Sequence, residues 1–275
     1  MFRNITLGQY YPVDSVIHRL DPRVKLLGVV VYIAALFIMN NIWGFFLLGG
    51  VLAVLISLSH VPLGYMIKGL RPALILIILA VIFNLFSGTG TIIWKWWILT
   101  LTYSSILRAA FFALRLICVI LGTGLLTYTT TPTTLTNGLE KVFSHLRFIR
   151  FPAHEIAMMM SIALRFIPIL AEEVNKITNA QLARGADFET GGFIKKAKGM
   201  VPILIPLFVS AFRRAADLAT AMEARCYHGG QGRTRLHPLT YQKRDKIAYV
   251  LILVFLLAVI ALRLTMERYL QAGRI

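Results

Sequence analysis

Acidic residues are scarce in this chain of 275: 12 Asp and Glu stand against 29 Lys and Arg, and charged residues of both signs make up only 15%. Soluble domains carry about 25% charged and about 45–50% apolar residues. With 57% hydrophobic residues and a mean hydropathy of +0.72, the chain falls outside that class and reads as an integral membrane protein. Cysteine is nearly absent. Cys118 and Cys226 show no CxxC or Cys/His spacing, which argues against a disulfide framework or a zinc site and leaves two free thiols.

Other absences narrow the function. The first 25 residues contain no apolar run ending in small residues, so no cleaved signal peptide is expected. The glycine-bearing stretches GTGT (88–91) and GTG (122–124) are not followed by Lys-Ser/Thr and form no phosphate loop, so ATP is not expected to bind this chain. His60, His145, His154, His228 and His237 are scattered, and Glu172-Glu173 has no HExxH-like partner. No nucleophile with a placed base is visible, and the reading is of a protein that is not an enzyme and holds no metal. The net charge of +17 would suggest nucleic acid in a soluble protein. Here the basic residues lie outside the apolar runs, so the partner they point to is the membrane surface.

What is present is a series of apolar runs of membrane-spanning length. A hydrocarbon core of about 30 Å needs about 20 helical residues. Five spans are expected, at about 25–42, 43–59, 72–86, 106–127 and 247–266, with Pro72 at the first turn of the third. Between spans three and four, Trp94, Trp96 and Trp97 in a stretch rich in β-branched residues suggest a short hairpin or loop at a membrane surface. Lys and Arg set the orientation: 23 lie on the side of the N-terminus and four on the other, with Arg108 and Arg115 inside span four. That bias places the N-terminus in the cytoplasm.

The expected fold is an all-α membrane protein of about five spans, with a cytoplasmic helical domain inserted before the last one. It divides into 1–127 (arm and four spans), 128–246 (the insert) and 247–275 (last span and tail). Three helical pieces are read in the insert: a short amphipathic one after Thr131-Pro132, a long one through Pro168 that stops at Gly185, and a long one from about Met200 to Arg225. Charges such as Glu172, Glu173, Arg213 and Arg214 argue against either long piece as a span. The alternative, with both as an extra hairpin for seven spans, keeps the same parity. Ala211, Ala215 and Ala219, at four-residue steps, suggest a seam along which the long helices cross, or simply good helix formers.

The two long pieces end alike. AQLARGADF spans 180–188, and AMEARCYHGG follows 41 positions later at 221–230, so Ala183-Arg184-Gly185 has a counterpart in Ala224-Arg225-Cys226. Each arginine could cap the carbonyls of its own helix. Two in parallel contexts, each between small residues, suggest instead a repeated docking plug whose guanidinium meets a carboxylate on a dimeric partner. The remaining class is a stand-alone permease or channel. Polar residues at the midplane, which such a protein usually needs, are confined to Asn84, Arg115 and a few Gly and Thr.

The arm GQYYPVDSVIHRLDPRVKLL, MSIALRFIPIL, AQLARGADF, LIPLFVSAFRRA and AMEARCYHGGQGRTR together resemble the transmembrane T component of energy-coupling factor (ECF) transporters, the EcfT/CbiQ family, over about residues 8–236. The resemblance implies a bacterial cytoplasmic-membrane importer for a vitamin or metal. Its parts would be two ABC ATPases that bind ATP and Mg, this T component, and one or several substrate-binding S components. Arg184 and Arg225 then match the signature arginines that sit in grooves on the ATPases. The sequence departs from the family at Cys226, where glycine is frequent, and at His228, often arginine. The cysteine removes the residue that a glycine-type helix cap would use.

Overall fold

The computed structural model describes residues 10–39, 41–86, 92–96, 99–144, 152–186, 192–229 and 239–272. Its elements are α1 (Pro22–Ile38), α2 (Ile42–Ser59), α3 (Leu63–Phe86), an antiparallel pair β1 (Ile92–Trp96) and β2 (Leu99–Thr102), α4 (Tyr103–Thr129), α5 (Pro132–Phe143), α6 (Ala153–Ala183), α7 (Phe193–Ala224) and α8 (Lys243–Ala272). The chain forms two compact units. One holds the described residues of 8–138 and 239–275, the other those of 139–238, so the boundary falls within α5.

In the first unit α4 is the central helix, touching α1, α2 and α3, while α8 packs on α1 and α2. Leu36, Leu48, Cys118, Tyr128 and Val259 form its core. The close approach of α1 to α4 depends on Gly122, where a Cβ would sit 2.8 Å from the Tyr32 ring. Gly69 plays the same part for α3 beneath the Tyr128 hydroxyl. Around this core the outward surface is strongly apolar, with Phe46 70% and Ile75 78% exposed. An exposed apolar surface of that extent is stable only against lipid or a partner.

Helix ends in this unit are satisfied by residues far away in sequence. Asp21 caps α1, accepting from the Arg23 N–H at 2.9 Å, with Pro22 in the first turn. The Asp21 N–H donates to Asp245 Oδ1 at 2.9 Å, and Asp245 Oδ2 accepts from the Gln242 N–H at 2.8 Å, so one buried carboxylate joins the starts of α1 and α8. Arg23 adds a bond to the Leu239 carbonyl at 2.9 Å and stacks on the Tyr241 ring at 4.4 Å. At the end of α4, the Tyr11 N–H donates to the Tyr128 carbonyl at 2.9 Å and Lys25 Nζ to the Thr129 carbonyl at 2.8 Å. The other two Lys25 donors go to the His18 carbonyl and Thr130 Oγ1, so all three are used.

One expectation needs correction. Span three starts at Leu63, and Pro72 lies inside α3. Proline costs an interior hydrogen bond but does not forbid a helix that is long on both sides of it. Lys68 and Arg71 therefore sit on α3. Arg115 lies within α4. Its guanidinium donates to the Met39 carbonyl at 2.8 Å, at the end of α1, and lies 5.6 Å from the Phe37 and Phe45 rings. Arg108 bonds only one turn back, to the Ser104 carbonyl at 3.3 Å.

By length and composition six described helices can cross a membrane: α2, α3, α4, α6, α7 and α8. At 17 residues α1 is the short member of its unit. The protein is a multi-pass membrane protein, and the two helices that the sequence's charges argued against, α6 and α7, are apolar enough over part of their length to qualify.

The Arg115 contact is testable. Arg115→Met keeps an unbranched apolar stem but leaves the Met39 carbonyl without this donor. The purified chain in detergent should lose about 1–3 kcal/mol in denaturant unfolding, and unchanged stability would contradict the assignment.

Candidate functional site

The second unit is built on α6 and α7. Each has an apolar stretch before its charged C-terminal turns, and each continues through its prolines, Pro168 in α6 and Pro202 and Pro206 in α7. Arg214 Nη2 on α7 bonds Glu173 Oε2 on α6 at 2.9 Å. Gln181 Nε2 reaches the Pro202 carbonyl at 3.4 Å. Residue numbers thus rise along α6 as they fall along α7, which makes the pair antiparallel.

The contact stripe on α7 runs through Leu207, Ala211, Arg214, Leu218 and Met222, all half-buried. Of the three seam alanines Ala211 is half-buried, and Ala215 and Ala219 are exposed. A four-residue step advances an α-helix by about 400°, and two such steps turn a side chain about 80° away from its starting face. Steps of three, four and four residues, as from Ala211 to Met222, hold the face.

Both helices end in the same hydrogen-bond pattern. In α6 the Gly185 N–H donates to the Leu182 carbonyl at 2.9 Å and the Ala186 N–H to the Gln181 carbonyl at 3.0 Å. In α7 the Cys226 N–H donates to the Glu223 carbonyl at 2.9 Å and the Tyr227 N–H to the Met222 carbonyl at 3.0 Å. These are two Schellman caps, with Arg184 and Arg225 at the C-cap and the following residue left-handed, Gly185 at φ 84° and Cys226 at φ 54°. The cysteine at 226 therefore does not abolish the cap. It adopts the strained conformation that a glycine would take freely.

The caps bear on what the arginines do. Backbone N–H groups already occupy the Gln181 and Leu182 carbonyls of α6 and the Met222 and Glu223 carbonyls of α7, and neither guanidinium has a hydrogen-bond or ion-pair partner among the described residues. Ala183, Arg184 and Gly185 are exposed, as are Ala224, Arg225 and Cys226. Self-capping by the arginine side chains is thus not the arrangement adopted. Among the described residues no group of three or more His, Cys, Asp and Glu side chains could hold a metal ion.

The structure does not bring the two arginines together. Arg184 lies 11 residues beyond Glu173 (184 − 173), and Arg225 lies 11 beyond Arg214 (225 − 214). Each is about 16 Å of helix from the ion pair. Because the helices are antiparallel the arms point opposite ways, placing the guanidinia on the order of 30 Å apart. The ion pair itself escaped sequence reading, although its partners are separated by the same 41 residues as the two arginines.

Replacing Cys226 by Gly relieves the left-handed cysteine and should stabilise the end of α7 by about 1 kcal/mol. Slower amide hydrogen exchange at residues 225–227 would report the gain, and faster exchange would contradict the cap assignment.

The cobalt transport protein (CbiQ) family model matches residues 14–236. The chain is 47% identical over 260 residues to the energy-coupling factor transporter transmembrane protein EcfT of Ruminiclostridium cellulolyticum, covering 94% of this chain and 97% of that one. It is 50% identical over 256 residues to EcfT of Clostridium kluyveri, covering 92% and 95%. It is 45% identical over 263 residues to EcfT of Acidaminococcus fermentans, covering 96% and 98%. With its apolar helices and its two arginine-ended helices, the chain belongs to the EcfT/CbiQ family of transmembrane components of energy-coupling factor transporters.

Proposed function

We propose that the chain is the transmission subunit of an importer, coupling ATP hydrolysis by two associated ABC ATPases to movement of a substrate-binding S component that delivers a vitamin or a metal. The observation that carries this reading is the pair of exposed guanidinia on matched helix ends, without a partner among the described residues. A guanidinium in an otherwise satisfied C-cap is free to form a bidentate pair with a carboxylate on another protein. Two of them on opposite arms of an antiparallel pair suit a dimeric partner that offers the same socket twice.

In this reading ATP and Mg are held by the ATPases, and residues 128–246 act as the coupling domain. ATP-driven closure of the ATPases moves the ends of α6 and α7, and the rigid helices carry that movement to the S component. The excess of Lys and Arg places the N-terminus and the coupling helices on the cytoplasmic side of the bacterial membrane. The apolar stretch of α7, where Ile205 and Phe208 are 60% and 61% exposed, supplies surface for lipid or for a second membrane protein.

The test is purification of the tagged chain from its native membranes in mild detergent, followed by mass spectrometry. Two ABC ATPase subunits and at least one small hydrophobic binding subunit should accompany it. Arg184→Glu combined with Arg225→Glu reverses both contacts, each worth about 2–5 kcal/mol if desolvated. The variant should insert normally and lose the ATPases. Recovery of the ATPases at parental yield would overturn the docking assignment.

A further inference from the structure

We propose that Glu173 and Arg214 are the fulcrum of the α6–α7 pair, positioning residues that fix the separation of the two arginine ends. The proposal rests on the docking reading of Arg184 and Arg225. Its ground is a coincidence of spacing. The ion pair joins positions 41 apart, and the arginines are also 41 apart, so a single shift carries Glu173 to Arg214 and Arg184 to Arg225. In an antiparallel pair such a contact falls on the local two-fold relating the helices. Sliding α7 along α6 by one turn keeps that two-fold and changes the separation of the two arginines by about 5 Å. A dimeric partner with two equivalent sockets could then seat only one arginine.

Chemistry at the crossing suits a register lock. Besides the Gln181–Pro202 bond, the half-buried positions of α7 flanking the pair are small or aliphatic, including Ala211 and Leu218, and such side chains specify register weakly. A carboxylate facing a guanidinium does not. Displacement by a turn sets both charges against apolar neighbours at partly covered positions, where Glu173 is 27% and Arg214 39% exposed. The pair is joined through Nη2, and the buried Arg214 Nε has no hydrogen-bond partner among the described residues. The guanidinium fork therefore has a second donor beside the one in use. A small roll of α7 can change how the fork engages without releasing the carboxylate.

The experiment uses the full complex as it purifies from the membrane. Spin labels go on cysteines introduced at the exposed, matched positions Ala180 and Ala221, in a chain with Cys118→Ala and Cys226→Ser. The distance between them is measured by pulsed electron spin resonance with and without ATP. Parent complex should give a narrow distribution that shifts on adding ATP. Glu173→Arg alone and Arg214→Glu alone should broaden it and lose the shift, and the two together should restore both. Singles with the parental distribution and shift would overturn the fulcrum, as would a double variant that fails to recover them. If the singles fail to assemble, recovery by the double variant still decides the matter. The docking reading fails separately, through retention of the ATPases by the Arg184 and Arg225 reversals.

Discussion

A helix end leaves up to four carbonyls without partners, and in an apolar medium each unsatisfied group costs several kcal/mol. Much of the polar chemistry of this chain answers that constraint. Lys25 and the Tyr11 backbone close the end of α4, Arg115 donates to the carbonyl at the end of α1, and Asp21 with Asp245 closes the starts of α1 and α8. Lys25, Tyr11, Arg115 and the Asp245–Asp21 link each join segments distant in sequence, so satisfying a helix end also fixes the neighbour that supplies the group. This is how a unit with few charges obtains a defined arrangement from helices whose apolar faces discriminate little among themselves.

The α6–α7 unit meets the same constraint locally, and that difference prepares function. Schellman caps close the ends of both helices with backbone N–H groups. The arginines at the C-caps are consequently released from structural duty and project into solvent. A side chain that neither stabilises its own helix nor pairs among the described residues of its unit is available to a partner. Retaining a left-handed cysteine at 226 carries a cost, and the cap still forms, which shows how strongly the geometry of that end is held.

Much of the architecture was legible because membrane spans and helix stops have strong one-dimensional signals. The apolar runs, the stop at Gly185 and the repeat of Ala-Arg-small are all local. What escaped reading depended on contacts across the sequence. Pro72 resembles a helix start until the turns before it are seen to continue the helix. The partner of Arg115 is a backbone carbonyl 76 residues away, which leaves no trace in side-chain pattern. The alanines at 211, 215 and 219 match a four-residue rule, and of the three Ala211 is half-buried while Ala215 and Ala219 are exposed. Glu173 and Arg214 were visible only as charges that argued against a span, because nothing local says that they face each other.

The central claim is that one chain presents two equivalent arginine ends to two subunits of one partner. It is tested most directly by placing a photo-crosslinking amino acid at Ala183 and at Ala224 of the same chain and irradiating the complex in native membranes. The account predicts a product in which a single chain is joined to two ATPase subunits, each linked at the same groove. Linkage of both positions to one subunit, or of either to a protein unrelated to ATP hydrolysis, would contradict it.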